Sequence, residues 1–304
     1  MNKFRVLDYD IIYLSYDEPN AEKNYADLCS KIPWAKRVHG VEGSDAAHKA
    51  CAELSETERF ITVDGDNIVL PEFLNQEIDF DEHYDLRHCV ISWAGYNIVN
   101  GLMYGNGGLK CWPVEHVLKM KTHEHADPDN LHAQVDFCWD IQYIQQNSCF
   151  SHVYNNATPQ QAWRAGFREG VKMALDRGVR CTKEEFWKNH WKNLHRLWVW
   201  CMVGMDVENG NYAIYGARQG LYKTMCTDWD FVQVRDFKYL NELWAEEEKI
   251  IDDIPELTVE YGEKLITELN VPFDPCALNV GQSKFFKTVY KNPERVFSNI
   301  IDKE

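Results

Sequence analysis

The first 64 residues alternate between short apolar segments and segments with helical spacing. The segments at residues 9–16 (YDIIYLSY), 35–41 (AKRVHGV) and 60–64 have the length and composition of buried strands. Between the first two, apolar residues recur at Tyr25, Leu28 and Ile32, which is a helical period. Strands that alternate with helices in this way predict a layered α/β domain with a largely parallel sheet.

The ends of the two predicted helices carry local signals. Asn20 precedes the first helix as a capping residue, and Pro33 ends it. Ser44 or Asp45 is the candidate cap of the second helix, which continues through the segment AAHKACAEL. We therefore expect each helix to begin directly after a strand and its short turn.

Composition favours a soluble globular protein. The chain has 304 residues, of which 45% are hydrophobic and 26% are charged, and it has no apolar run of membrane-spanning length. Acidic residues interrupt the apolar N-terminal segment, so we expect no signal peptide, no membrane association and a cytoplasmic location. The ten cysteines include no Cys-x-x-Cys pair, which favours free buried thiols over disulfides or a zinc site.

The sequence changes character near residue 150. Beyond it, segments such as PQQAWRAGFREGVKMALDRG have helical periodicity and many tryptophans. No linker rich in Gly, Ser or Pro separates the two parts. We therefore predict an α/β domain over residues 1–150 and a helical extension over residues 151–304 that completes the site.

The predicted third strand ends in two carboxylates. The segment RFITVDGDNIVLP is apolar up to Val63 and continues with Asp64, Gly65 and Asp66. Gly65 permits a turn that brings the two carboxylates together, and a divalent cation such as Mg²⁺ or Mn²⁺ would offset their repulsion and recruit a diphosphate. The alternative is a solvated Asp-Gly turn. Ligands of parallel sheets lie at the carboxyl ends of strands, where residues 16–18 (Tyr16, Asp17, Glu18) also lie.

This order of elements resembles the nucleotide-sugar-binding half of the glycosyltransferase A fold, especially the family 2-like enzymes. The resemblance implies a Rossmann-like mixed sheet flanked by helices, with a helical C-terminal extension. It implies that Asp17 or Glu18, next to Tyr16, faces the uracil of a UDP-sugar. The same resemblance assigns metal binding to the Asp-x-Asp pair, and the nucleotide to Gly43, Ser44 and His48.

A glycine-rich segment continues the resemblance. Residues 98–117, IVNGLMYGNGGLKCWPVEHV, look like the part of these enzymes that shapes the donor sugar pocket and the acceptor entrance. We assign Gly107, Gly108 and Lys110 to the donor site on this basis. The alternative is a pair of tight turns between strands.

The resemblance also implies a catalytic base and a histidine ligand. Inverting members use a later carboxylate as base, and HAQVDFCWDIQY supplies Asp136, with Asp140 as second candidate. A retaining enzyme stays open. His152 is the candidate third metal ligand, and His123, His125 and His132 belong to a loop that would instead close over the substrate.

A basic segment stands out in an acidic chain. Residues 151–200 carry 9 basic and 4 acidic side chains, a net charge of +5, whereas the whole chain carries −16. A helix places Arg164, Arg168 and Lys172 on one face, since they are spaced by four residues. They would bind the donor diphosphate or a nucleic-acid backbone, or they form a solvated face that pairs with acidic neighbours.

Three segments, YGNGGLK, AWRAGFREGVK and NGNYAIYGARQG, are similar to bacteriophage glycosyltransferases that decorate DNA. That resemblance implies transfer of a sugar, such as arabinose or glucose from UDP, to hydroxymethylated cytosine in DNA. The alternatives are a glycan acceptor, an Asp-x-Asp phosphohydrolase with Asp64 as nucleophile and Asp66 as acid, and a non-catalytic nucleotide-binding module. The phosphohydrolase fits less well because its motif belongs on a first strand, and two strands come earlier here.

Overall fold

The computed structural model describes residues 2–80, 88–105, 108–127, 129–130, 137–138 and 140–293. The chain divides into two compact units. The first comprises Met1–Ile98, Met103–Ala126 and Phe137–Tyr154, and the second comprises Val99–Leu102, Asp127–Asp136 and Asn155–Glu304.

The first unit contains all the strands of the described residues. In chain order they are β1 (Asn2–Arg5), β2 (Asp10–Ser15), β3 (Lys36–His39), β4 (Arg59–Asp64), β5 (Asn67–Val69), β6 (Glu77–Phe80), β7 (Cys89–Asn97), β8 (Met103–Tyr104), β9 (Leu109–Pro113) and β10 (Gln142–Val153). Its helices are α1 (Ala21–Lys31), α2 (Ser44–Leu54) and α3 (Val114–Lys119).

The main sheet is mixed. Its order is β3-β2-β4-β9-β7-β10-β5, and β8 pairs with β7. Strand β2 runs parallel to β3 and β4, whereas β9 runs antiparallel to β4 and β7. Strand β10 is parallel to β7 and antiparallel to β5, and β1 and β6 form a separate antiparallel pair. The predicted mixed α/β sheet is confirmed. Parallel pairing joins the first three predicted strands and also β7 and β10, whereas the other pairings are antiparallel, so the sheet is less parallel than the alternation of strands and helices predicts.

Both faces of this sheet are covered. Tyr13 and Val63 belong to a buried cluster that includes Leu28 of α1. Their neighbours Ile12 and Phe60 belong to a second cluster, which includes residues of α2 and α3. A strand buried on both faces has no polar alternation, which is why β2 and β4 read as continuous apolar runs.

The second unit is helical in its described residues. Its helices are α4 (Pro159–Ala174), α5 (Trp191–Met202), α6 (Gly210–Cys226), α7 (Phe237–Glu247), α8 (Ile254–Leu269) and α9 (Val280–Val289). Helices α4 and α6 approach closely through glycines, because a Cβ at Gly166 would overlap the carbonyl oxygen of Ala213. None of the helices in the described ranges is long and apolar enough to cross a membrane.

The predicted helix caps differ from the structure. Asn20 precedes α1, but its side chain donates to the carbonyl oxygen of Tyr154 at 2.9 Å rather than capping the helix. Helix α2 begins at Ser44 after Gly43, and neither Ser44 nor Asp45 caps it with its own side chain. In both cases the predicted local cap is absent, and the side chain of Asn20 bonds instead to a residue distant in sequence.

Candidate functional site

Hydrogen bonds from other elements hold the turn between β4 and β5 by its backbone carbonyl oxygens. The Tyr13 hydroxyl donates to the carbonyl oxygen of Gly65 at 2.6 Å, and Asn24 Nδ2 donates to the same oxygen at 3.0 Å. The amide of Tyr154 donates to the carbonyl oxygen of Asp66 at 2.7 Å. Three partners from separate elements therefore fix the backbone that carries the predicted metal ligands.

A third carboxylate, Glu18, lies against this turn. One of its oxygens accepts a hydrogen bond from the amide of Tyr16 at 2.8 Å. A Cβ on Gly65 would lie only 2.6 Å from Glu18 Oε2 and 3.0 Å from Ser15 Cβ. A side chain at position 65 would therefore displace the carboxylate of Glu18 from the turn.

The three carboxylates share a site that is short of positive charge. Burial raises the pKa of Asp64, and burial together with the charges of Asp64 and Glu18 raises the pKa of Asp66 to about 7. Burial, followed by the charges of Asp64 and Asp17, also raises the pKa of Glu18. Lys110 acts in the opposite sense on the pKa of Asp64. A bound cation would relieve such a site.

Gly108 lies directly over these carboxylates. Its carbonyl oxygen accepts from the amide of Asp64 at 3.2 Å, and its φ of +66° is in the left-handed region. A Cβ there would lie 2.8 Å from Asp64 Cβ and would overlap Asn67 Nδ2, which donates to Asp66 Oδ1 at 2.8 Å. Gly107, the other glycine assigned to the donor site, lies outside the described residues.

The start of α2, assigned to the nucleotide, already has an anionic partner. Glu124 accepts from the amide of Ser44 at 2.8 Å and from the amide of Asp45 at 3.0 Å. This carboxylate satisfies free backbone donors and lies at the positive end of the helix dipole. Gly43, at φ +87°, precedes this cap, and its Cβ would lie 3.3 Å from the same carboxylate. A phosphate bound there would have to replace Glu124.

His48 is a packed, neutral imidazole. Its Nδ1 lies 2.8 Å from the carbonyl oxygen of Ser44, and its ring centroid lies 4.4 Å from that of Phe137. Burial, followed by the charge of Lys110, lowers its pKa to about 4. By contrast, Tyr16 and Asp17 at the end of β2 are exposed, with Tyr16 47% exposed. Within the predicted nucleotide site, Tyr16 and Asp17 therefore present exposed side chains to a ligand.

His152 lies on β10, opposite Ile68 of β5. Its ring centroid is 5.5 Å from that of Tyr96, and burial and the charge of Lys31 lower its pKa. Among the described residues, three or more His, Cys, Asp or Glu side chains come within 4.8 Å of one another in one group. That group contains neither His152 nor the Asp-x-Asp pair. His152 as a ligand therefore stays a prediction.

The predicted loop histidines have separate environments. His123 is buried, and its amide donates to the carbonyl oxygen of Phe137 at 3.1 Å. His125 is exposed, with Nε2 3.9 Å from Asp45 Oδ1. His132 lies outside the described residues.

Of the two candidate bases, the structure describes only Asp140. Asp136 lies outside the described residues. Asp140 is exposed, and its Oδ1 accepts from the thiol of Cys138 at 3.0 Å and lies 3.4 Å from His116 Nε2. Burial, followed by the hydrogen bond to Asp140, raises the pKa of that thiol to about 12.

The predicted basic face packs within the second unit. The guanidinium carbons of Arg164 and Arg168 lie 5.0 Å and 4.5 Å from the ring centroid of Phe237. Arg168 Nη1 donates to the carbonyl oxygen of Val234 at 3.0 Å, and burial lowers its pKa to about 10. Arg168 therefore has a structural partner, and a phosphate would have to compete with it.

The chain matches no protein-family model and no curated protein. One similar solved structure is described as the crystal structure of a glycosyltransferase involved in the glycosylation of the major capsid of PBCV-1. The identity is 14% and the TM-score 0.29, over 50% of this chain and 98% of that chain. A likeness at this level decides neither the fold nor the activity.

Proposed function

We propose that the protein is a metal-dependent glycosyltransferase that uses a UDP-sugar as donor. The observation that carries this proposal is that Glu18, Asp64 and Asp66 lie at the carboxyl ends of β2 and β4, near enough for Asp64 and Glu18 to raise the pKa of Asp66. The carboxylates bear raised pKa values because they are buried and repel one another. Ligands bind at this end of parallel strands in open α/β sheets.

The donor set fits a hard divalent cation. Asp64 and Asp66 supply carboxylate oxygens, and the buried Oδ1 of Asn67 has no hydrogen-bond partner among the described residues. Oxygen ligands of this kind suit Mg²⁺ or Mn²⁺. When bound, the metal would neutralise the departing nucleoside diphosphate.

The chain's own residues would bind the rest of the donor. Tyr16 and Asp17 are exposed next to the carboxylates and would face the base. Lys110 contributes a positive charge that acts on Asp64. Gly108 keeps its own backbone close to Asp64, because its carbonyl oxygen accepts a hydrogen bond from the amide of Asp64. Asp136 remains the proposed base, which must reach hydrogen-bond distance of the acceptor hydroxyl.

For the acceptor we propose hydroxymethylated cytosine in DNA, with glucose or arabinose as the transferred sugar. The local net charge of +5 over residues 151–200 supports contact with an anionic polymer. In the same segment Trp187 and Trp191 are 42% and 43% exposed. Exposed aromatic rings can stack on an unpaired base.

The test measures UDP release from a panel of UDP-sugars with Mn²⁺. The acceptors are DNA with hydroxymethylcytosine, unmodified DNA, a mixture of glycans and no acceptor. The variants are Asp64→Asn and Asp66→Asn, and Glu77→Gln is the matched control because this exposed carboxylate pairs with Lys3 in the separate sheet of β1 and β6.

We expect release that requires one sugar and the modified DNA. It should fall at least 100-fold in both aspartate variants and stay unchanged in the control. Release with glycans alone would move the acceptor to that class. Release that persists in Asp64→Asn and Asp66→Asn would refute the assignment of the metal site, and no release with any donor would refute the transferase.

A further inference from the structure

A second group of side chains of the types that bind metals lies in the first unit. It includes Asp140, the second candidate base, but no residue to which the proposed reaction gives a role. His116 belongs to α3, and Cys138 and Asp140 belong to the segment before β10. Their donor atoms all lie within 4.8 Å of one another. The distances are 3.4 Å from His116 Nε2 to Asp140 Oδ1, 3.6 Å from Cys138 Sγ to His116 Nε2, and 3.0 Å from Cys138 Sγ to Asp140 Oδ1.

These distances can be compared with those in a zinc site. Tetrahedral Zn²⁺ binds sulfur at about 2.3 Å and nitrogen or oxygen at roughly 2.0–2.2 Å, so its ligand atoms lie about 3.4–3.6 Å apart. The two distances to His116 Nε2, 3.4 and 3.6 Å, agree with this geometry. The third distance is shorter because the thiol donates a hydrogen bond to Asp140. Loss of the thiol proton on metal binding would allow it to lengthen.

We propose that His116, Cys138 and Asp140 bind one Zn²⁺, with a water molecule in the fourth position. The water is expected because the side chain of Asp140 is 44% exposed, so solvent reaches the site. Each residue contributes one donor of a type that zinc accepts, namely imidazole nitrogen, thiolate sulfur and carboxylate oxygen.

The metal would join two parts of the first unit. It would connect α3 to the segment that leads into β10, since His116 lies on the one and Cys138 on the other. Phe137, next to Cys138, packs against His48 of α2 at 4.4 Å and against Trp112 of β9 at 5.8 Å between ring centroids. A zinc ion at this place would therefore hold the aromatic contact between α2, β9 and this segment.

This site differs chemically from the carboxylate site. A thiolate ligand selects zinc over Mg²⁺ and Mn²⁺, whereas a site with only oxygen ligands favours the harder ions. The zinc proposal therefore stands independently of the proposed glycosyl transfer, and its test requires no activity.

The experiment uses the full chain, stripped with a chelator and re-equilibrated with Zn²⁺ or Co²⁺. Zinc content and affinity are measured by chelator competition, and Co²⁺ is followed by absorption, where a thiolate ligand gives a charge-transfer band in the near ultraviolet. The test variants are His116→Gln and Cys138→Ser. The controls are Cys276→Ser and His125→Gln, which remove an exposed thiol and an exposed histidine elsewhere.

We expect one tightly bound Zn²⁺ per chain in the wild type and both controls, with a Co²⁺-thiolate band. Each test variant should lose at least 100-fold in affinity, and Cys138→Ser should lose the band. Zn²⁺ should raise the midpoint of thermal unfolding of the wild type but not of His116→Gln. If Cys138→Ser does not fold, His116→Gln decides, because this partly exposed position tolerates an amide of similar length.

Three results would overturn the proposal. One is a wild-type chain that retains no zinc against the competing chelator. Another is a folded His116→Gln or Cys138→Ser chain that binds zinc as tightly as the wild type. A fall in affinity in Cys276→Ser equal to that in Cys138→Ser would also overturn it, because binding would then reside in exposed thiols.

Discussion

Replacing Gly108 by alanine should disturb the carboxylate site through its backbone and its neighbours together. Gly108 has a φ of +66°, and its added Cβ would lie 2.8 Å from Asp64 Cβ and overlap Asn67 Nδ2. Gly40 has a similar φ of +71°, but nothing lies within 4 Å of a Cβ there. Both glycines belong to the first unit, so Gly40→Ala is a matched control for the backbone effect alone.

The two substitutions should differ in cost. A left-handed conformation costs a non-glycine residue about 1–2 kcal/mol. Overpacking at a filled position adds about 1–3 kcal/mol. We therefore expect Gly40→Ala to lower the free energy of unfolding by about 1–2 kcal/mol and Gly108→Ala by about 2–5 kcal/mol. The difference between the two variants measures the steric term at Asp64 and Asn67.

The assay is urea unfolding followed by far-UV circular dichroism, with Mn²⁺ titration of each folded variant. Gly108→Ala should also weaken Mn²⁺ binding at least tenfold, because Asp64 must move, whereas Gly40→Ala should bind like the wild type. Unfolding free energies that agree within about 0.5 kcal/mol, the usual limit of additivity, would refute the close packing of Gly108 on the carboxylates.

Three further predictions concern the rest of the molecule. Gly166→Ala should lower the free energy of unfolding by about 3 kcal/mol or more in urea titrations, since its Cβ meets the backbone of Ala213 and α4 must move from α6. Thr158→Ala should cost about 1 kcal/mol in the same assay, because the Thr158 hydroxyl accepts from the amide of Gln161 at the start of α4. The pKa of His48 is about 4 in the folded chain and about 6.5 unfolded. The unfolded chain therefore binds more protons between these values, and the stability of the wild type should fall by about 1–3 kcal/mol relative to His48→Gln as the pH decreases from 7 to 4. Parallel stability curves for the two proteins would contradict this.

The sheet is the part of the fold that short-range patterns predict best. The strand patterns at residues 9–16, 35–41 and 60–64 correspond to β2, β3 and β4. Burial on both faces makes β2 and β4 nearly continuous apolar runs, whereas β3 lies at the edge of the sheet and is only partly buried. The antiparallel position of β9 between β4 and β7 could not be predicted in this way. Nothing in the local composition of a buried strand specifies its direction, so this pairing depends on contacts distant in sequence.

The same limit applies to the site. The Asp-Gly-Asp segment could be identified because its residues are adjacent, and Gly65 marks the turn. The cap that Glu124 provides for α2 joins residues 80 positions apart, so local capping rules point to the neighbouring side chains instead. Tyr13 gives one usable signal, since a tyrosine within an apolar strand needs a partner for its hydroxyl, and that partner is the turn.

The prediction of free thiols agrees with the structure, but a spacing rule does not detect side chains that only the fold brings together. Without a Cys-x-x-Cys pair the sequence favours free thiols, but His116 and Cys138 are 22 positions apart and meet at 3.6 Å. If both proposals hold, the first unit contains one site of oxygen ligands and one with a thiolate. Zn²⁺ at low concentration should then fill the thiolate site first, leaving the carboxylates to respond to Mn²⁺. Adding Zn²⁺ first and Mn²⁺ second therefore separates the two sites in one preparation. If Asp64→Asn abolishes Mn²⁺ binding and His116→Gln retains it, the Mn²⁺ site is the turn after β4.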